Sequence, residues 1–389
     1  MNEHPYHNGS HRHLLSTGAD AKAADVDAII VPTARPADTL RHVIGLARHL
    51  GTKLVALCSR LSEAGEVRRI ATEEGLTDVV PVDVPDASRL PLPDLATSKL
   101  LVGTEFERGT DLSLKRNLGL LLARMAGWRR VVFLDDDITV PDAEDLRRAV
   151  GLLEHYEVVG LSIEGFPDNS VVCHAHREAG GFQDTFIGGG ALAVDPVRTT
   201  SFFPDIYNED WFYLLNNRKL RPVTITGRAE QEPYDPFAHP ERARAEELGD
   251  VLAEGIYFLL GKNKTVKSAK RVFWKDYLKR RRLFIEDVIQ RVRREPETER
   301  RTRKLESLAA ARDSLGLITP WLCEKYIKAW RKDRSRWRRY VATLHRSGVD
   351  EALGRLGLKA APPEPCLSKR AEADIGSNAD CSPVFSIST

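Results

Sequence analysis

Residues 131–140 read VVFLDDDITV, so four apolar side chains run straight into Asp135, Asp136 and Asp137. Adjacent carboxylates repel one another, and burial raises the cost of keeping them ionised. A divalent cation, or a polyphosphate carrying one, removes that penalty. An acidic cap on the following helix explains Asp142 and Glu144, but not three aspartates in a row. A second acidic pair, Glu209 and Asp210, stands in NEDWFYLL just before an aromatic run. A carboxylate placed across a cleft from the first group can take the proton of an attacking hydroxyl. The segment CHAH, 173–176, offers Cys173, His174 and His176 to zinc. As a strand it would point Cys173 away from His174, and no fourth ligand is apparent. A strand edge near an acceptor site is therefore expected there.

These residues need elements to hold them. VDAIIVP and KLVALC read as buried strands, as do TDVVPVDV and the run that ends at the aspartates. Between them, ADTLRHVIGLARHLG and EAGEVRRIATEEG have helical apolar spacing and glycine stops. A Pro-rich stretch, VPDASRLPLPDLATS, reads as a loop, and DLSLKRNLGLLLARMAGW as a helix with Asp111 at its cap. Alternating strands and helices imply an α/β fold with a doubly wound, mostly parallel sheet. Ligands bind at the carboxyl ends of such strands, so PTARP, 32–36, and the three aspartates should face one cleft.

Bulk properties narrow the class. The chain has 389 residues, 42% hydrophobic and 29% charged, which suits a globular protein with an ample core. The five cysteines (Cys58, Cys173, Cys323, Cys366 and Cys381) are scattered, and no apolar run is long enough to span a bilayer. With no apolar signal segment near the start, a cytoplasmic protein with reduced thiols is expected. The net charge of +2 conceals an asymmetry. Residues 262–346 hold about 27 Lys and Arg against 10 Asp and Glu, leaving an acidic body. Expected units are a disordered leader (1–24) containing His4, His7, His11 and His13, an α/β domain (25–260), a basic helical domain (261–360) and a disordered tail (361–389).

Four pieces in order, VPTARP, KRNLGLLLARMAGWRRVVFLDDDI, GGGALAVD and NEDWFYLL, resemble the nucleotide-sugar glycosyltransferases of the A-type (GT-A) fold, closest in layout to family 2. The resemblance covers roughly residues 25–235. It implies a metal-dependent hexosyltransferase-like enzyme that moves a sugar from a UDP- or GDP-linked donor, UDP foremost, to an acceptor hydroxyl. Pro32, Thr33 and Arg35 would line the nucleotide pocket, with Arg116 and Asn117 approaching the donor. Asp135 and Asp137 match the D-x-D pair that holds Mg²⁺ or Mn²⁺ and the diphosphate, with Asp136 between them on the donor side. Gly188, Gly189 and Gly190 would let donor and acceptor approach the backbone. Asp210, or Glu209 beside it, would be the catalytic base, and the pair favours inversion. His239 stands where some A-type enzymes supply a third metal ligand. LCSR after the second strand departs from the family's Asp-rich stretch, which leaves the nucleotide open.

Two other classes compete. FLDDDITV also fits the haloacid-dehalogenase-like phosphatases, with Asp135 as nucleophile and Asp137 as acid/base, although that family has no such α/β region before the motif. VPTARP lacks the glycines of a nucleotidyltransferase loop. A non-catalytic binding protein could act through the basic helices, whose aromatic and basic spacing suits packing, peripheral contact with an anionic membrane through 262–346 at the inner membrane face, or nucleic acid, in that order.

Overall fold

The computed structural model describes residues 4–362 except 18, 19, 21 and 168. The expected tail, with Cys366 and Cys381, lies outside the described residues. Eight strands form one sheet: β1 (Ala28–Thr33), β2 (Lys53–Cys58), β3 (Val79–Asp83), β4 (Val131–Leu134), β5 (Ile138–Thr139), β6 (Val158–Gly165), β7 (Ala191–Val194) and β8 (Val223–Gln231). Their order is β3-β2-β1-β4-β7-β6-β8-β5. The β3-β2-β1-β4 half is parallel, as expected. The other half is mixed, because β7 runs antiparallel to both β4 and β6, and β5 antiparallel to β8. Strand order reverses between β1 and β4, which opens the crevice where such sheets bind ligands.

Every residue of β1 is buried, and its side chains alternate between two cores. Ile29 and Val31 face the helices α1 (Arg41–Leu50), α2 (Ala64–Glu73) and, further along the sheet, α5 (Glu144–Gly151). Ile30 faces α4 (Leu112–Ala126) on the opposite side. Helices end where the sequence permits: Gly51 and Gly127 close α1 and α4 in the left-handed conformation, at φ 62° and 77°. The Pro-rich stretch is not all loop, since α3 (Ala96–Leu101) begins in its last three residues. A buried carboxylate from far along the chain caps it. Asp333 accepts from the amides of Ala96 and Thr97 at 2.8 Å and from Thr97 Oγ1 at 2.9 Å.

Three expectations are corrected. CHAH belongs to a helix, α6 (Val171–Glu178), capped by Ser170, whose Oγ accepts from Cys173 N at 3.4 Å. It is buried all round because it packs among α8 (Pro240–Gly261), α9 (Arg271–Val292) and α10 (Glu299–Leu317). Burial pushes the Cys173 thiol well up, and among the described residues no group of three His, Cys, Asp or Glu gathers there for a metal. Next, part of the presumed leader is packed: His7 is 5% exposed and stacks on Phe284, while His11 is 2% exposed. Lastly, the basic helices form no separate unit. α9, α10, α11 (Pro320–Ala342) and α12 (Val349–Arg355) share one apolar core with α4 and with α7 (Glu209–Leu214). Trp274 and Trp330 are its largest buried side chains. Arg281 crosses the presumed 260/261 boundary, meeting Glu247 at 2.8 Å and Asp250 at 2.7 Å.

Candidate active site

The ends of β1 and β4 meet, as the strand reading requires. Thr33 Oγ1 donates to Asp136 Oδ2 at 2.8 Å, and Arg35 Nε to Asp136 Oδ1 at 3.0 Å. Arg35 also reaches Glu232 at 3.0 Å. Asp136 is thus a structural tie between the two strand ends. Pro32, in β1, is buried. Lys115, 2% exposed, braces the same corner by donating to Thr33 O at 2.7 Å and Ser59 Oγ at 2.6 Å. Sequence reasoning missed it, although a lysine beside the Arg116–Asn117 pair on a buried helix face was the signal.

Arg116 is the centre of the second layer. Its Nη2 donates to both oxygens of Asp135, at 2.9 and 2.7 Å, and its Nη1 to Glu209 Oε1 at 2.5 Å. Burial opposes the guanidinium charge, but Asp135, Glu209 and Asp210 more than offset it, holding its pKa above the usual value. Burial likewise raises Asp135, with Arg116 opposing that shift. Arg108 supplies a second cation to Glu209, at 3.3 Å. Asn117 is elsewhere occupied: it donates to Phe203 O at 2.8 Å and accepts from Phe203 N at 2.9 Å. Its amide is spent fixing a loop, so the structure does not present it to a donor.

Glycines allow this layer to close. Gly190 O accepts from Asp135 N at 2.9 Å. A Cβ on Gly189 would lie 2.5 Å from Arg116 Nη1, and one on Gly190 3.3 Å from Asp135 Oδ2. Gly189 N donates to Asp210 Oδ2 at 2.6 Å, and Trp211 N to Asp210 Oδ1 at 2.8 Å. Glu209 therefore faces two arginines, whereas Asp210 is oriented by backbone amides.

Asp135, Arg116, Gly188–Gly190, Glu209 and Asp210 all line one cavity of about 490 Å³. Its far wall comes from α6 and α8 through Ser170, Cys173, Glu246, Asp250 and Glu254. The spacing Arg242, Glu246, Asp250, Glu254 is a four-residue stripe on one helix face, a signal the sequence reading passed over. Ser170 Oγ donates to Asp250 at 2.8 Å, and His11 Nε2 meets Glu254 at 2.8 Å. The N-terminal segment thus backs the cavity.

Among the described residues no three His, Cys, Asp or Glu side chains are placed together to hold a metal ion. His239, exposed at the head of α8, does not complete a set with Asp135 and Asp137. Mg²⁺ and Mn²⁺ need less: one or two carboxylates plus substrate phosphates suffice. Asp137 is half-buried, two positions beyond Asp135 in the sequence, and is not among the residues that line the cavity. Both oxygens of Asp135, the nucleophile of the phosphatase reading, accept from Arg116, so a role as nucleophile or as metal ligand would use its remaining lone pairs.

No family model matches this chain, and no curated protein matches its sequence. Among solved structures it is similar to mannosyltransferase PcManGT from Pyrobaculum calidifontis, in complex with GDP-Man and Mn²⁺. That match covers 86% of this chain and 84% of the other, at 15% identity and a TM-score of 0.36. So loose a superposition transfers neither residues nor ligand.

Proposed function

We propose that the protein transfers a sugar from a nucleoside-diphosphate donor to an acceptor hydroxyl. The observation that carries this reading is Asp210, held by two backbone amides on the wall of a cavity that also contains Asp135 and Arg116. The acceptor O–H gives its proton to Asp210 as its oxygen bonds to the anomeric carbon. The bond from that carbon to the diphosphate breaks, and its electron pair stays on the departing phosphate oxygen. Attack opposite the leaving group inverts the centre. Thr33 and Arg35 shape the nucleotide end through Asp136, while Gly188–Gly190 leave room for the sugar. Arg116 holds Asp135 and Glu209 in place. A divalent cation on Asp137 and Asp135 would neutralise charge on the leaving diphosphate.

The test is a thermal-shift titration with UDP, GDP, ADP and dTDP, each with and without Mn²⁺, followed by transfer assays on UDP- and GDP-sugars. A ligand at about 100 times its Kd adds roughly 2.7 kcal/mol to stability. One diphosphate should stabilise the protein only with metal, and Asp137→Ala should remove that effect. A shift with Mg²⁺ and BeF₃⁻, but with no nucleotide, would overturn the reading in favour of phosphoryl chemistry.

A further inference from the structure

The surplus of basic residues is not neutralised evenly across the C-terminal helices. On α10, Arg303 pairs with Asp235 at 2.6 Å, and Arg300 with Glu178 at 2.5 Å. The outer side of α11 differs. Lys325, Lys328, Lys332 and Arg339 recur at intervals of three, four and seven, which sets them on one exposed stripe. The opposite stripe, with Tyr326, Trp330 and Trp337, is buried in the core. Glu324 meets Lys328 at 3.1 Å. Among the described residues, Lys325, Lys332 and Arg339 pair with no carboxylate.

This stripe has an apolar head. Trp321 is 50% exposed and Leu317, four residues earlier, 49%. Arg271 lies 3.5 Å from Glu324, which brings the start of α9, with Val272 at 75% exposure, beside the start of α11. The Lys325 ammonium sits 4.3 Å from the centre of the Trp321 ring. A solvated helix face needs no exposed Trp, Leu and Val at one end. Nucleic acid would use the lysines and stack a base on Trp321, but it leaves Leu317 and Val272 without a partner. A bilayer surface uses the stripe and its apolar head, since tryptophan favours the headgroup level and lysines favour anionic lipid. We propose that α11, with Leu317, Trp321 and Val272 at its head, docks the protein onto an anionic phospholipid membrane. This inference is independent of the transfer reading.

The experiment is co-sedimentation of the full chain with vesicles of phosphatidylcholine, alone or mixed with phosphatidylglycerol. Binding is expected on the mixed vesicles and should weaken with salt. Each of Lys325→Gln, Lys332→Gln and Arg339→Gln should weaken it about five-fold. Trp321→Ser should weaken binding and abolish the blue shift of tryptophan emission, with the melting temperature unchanged. Absent binding, or equal binding to both vesicles, would overturn the proposal. So would duplex DNA that displaces the vesicles and binds Trp321→Ser as tightly as the parent protein.

Discussion

Glu209 and Asp210 are adjacent in sequence but held by different partners. Arg116 and Arg108 clamp Glu209, so its charge serves to fix Arg116. Asp210 keeps its oxygens at the cavity wall, oriented by Gly189 N and Trp211 N. Asp210→Asn should therefore lower turnover by about 10²–10⁴-fold while nucleotide-induced stabilisation persists. Glu209→Gln should instead lower the melting temperature, because Arg116 loses a buried counter-charge, at a cost of up to about 3–5 kcal/mol. Equal loss of turnover with no change in stability for both variants would refute the division. Gly189→Ala places a methyl against Arg116 Nη1, whose own salt bridges prevent it from yielding. It should impair both donor binding and transfer, as a titration paired with a rate assay would detect.

At the scale of elements, α6 and the N-terminal segment make a pH-sensitive join. Burial lowers His7, His174 and His176 to about 4 each, from an ordinary 6.5. Their folded values are depressed, so the unfolded chain takes up protons first as pH falls. Stability should be intact above pH 6.5 and decline steadily from there to pH 4. Melting curves at pH 7.5 and 4.5 check this, and His176→Phe should flatten the dependence. The same region marks where sequence reading stopped. β1 and β4 were legible because both faces of a central strand are apolar. CHAH was misread because a fully buried helix shows no polar face to reveal its period, although Ser170 and Gly180 bracket it. The leader looked unstructured because its buried groups are histidines rather than aliphatic residues. At the site, the aspartates and glycines were legible as types out of place in a plain strand or helix. Lys115 and the α8 stripe carried a signal in their spacing that only tertiary contacts make meaningful, and Arg108 carried none.

At the scale of the molecule, the acidic α/β body and the basic helices complete one another. Arg281 neutralises Glu247 and Asp250 inside the interface. Burial nonetheless raises Glu247 to about 7, a measure of how dry that contact is. Trp274, Phe284, Trp330 and Trp337 cover the same side of the sheet as α4. A fragment ending at residue 260 should therefore neither melt cooperatively nor remain soluble, having lost both the counter-ion and the cover. A cooperative transition from that fragment would show two independent units instead.

The bond between His11 and Glu254 spans 243 positions of sequence. A ribosome releases the histidine long before the glutamate exists, so this segment must wait, unplaced, while the intervening residues are made. Contacts of such separation are the slow ones to form. Assembly of the cavity's rear wall is then a late event of biogenesis, reached only when α8 has arrived to receive His11.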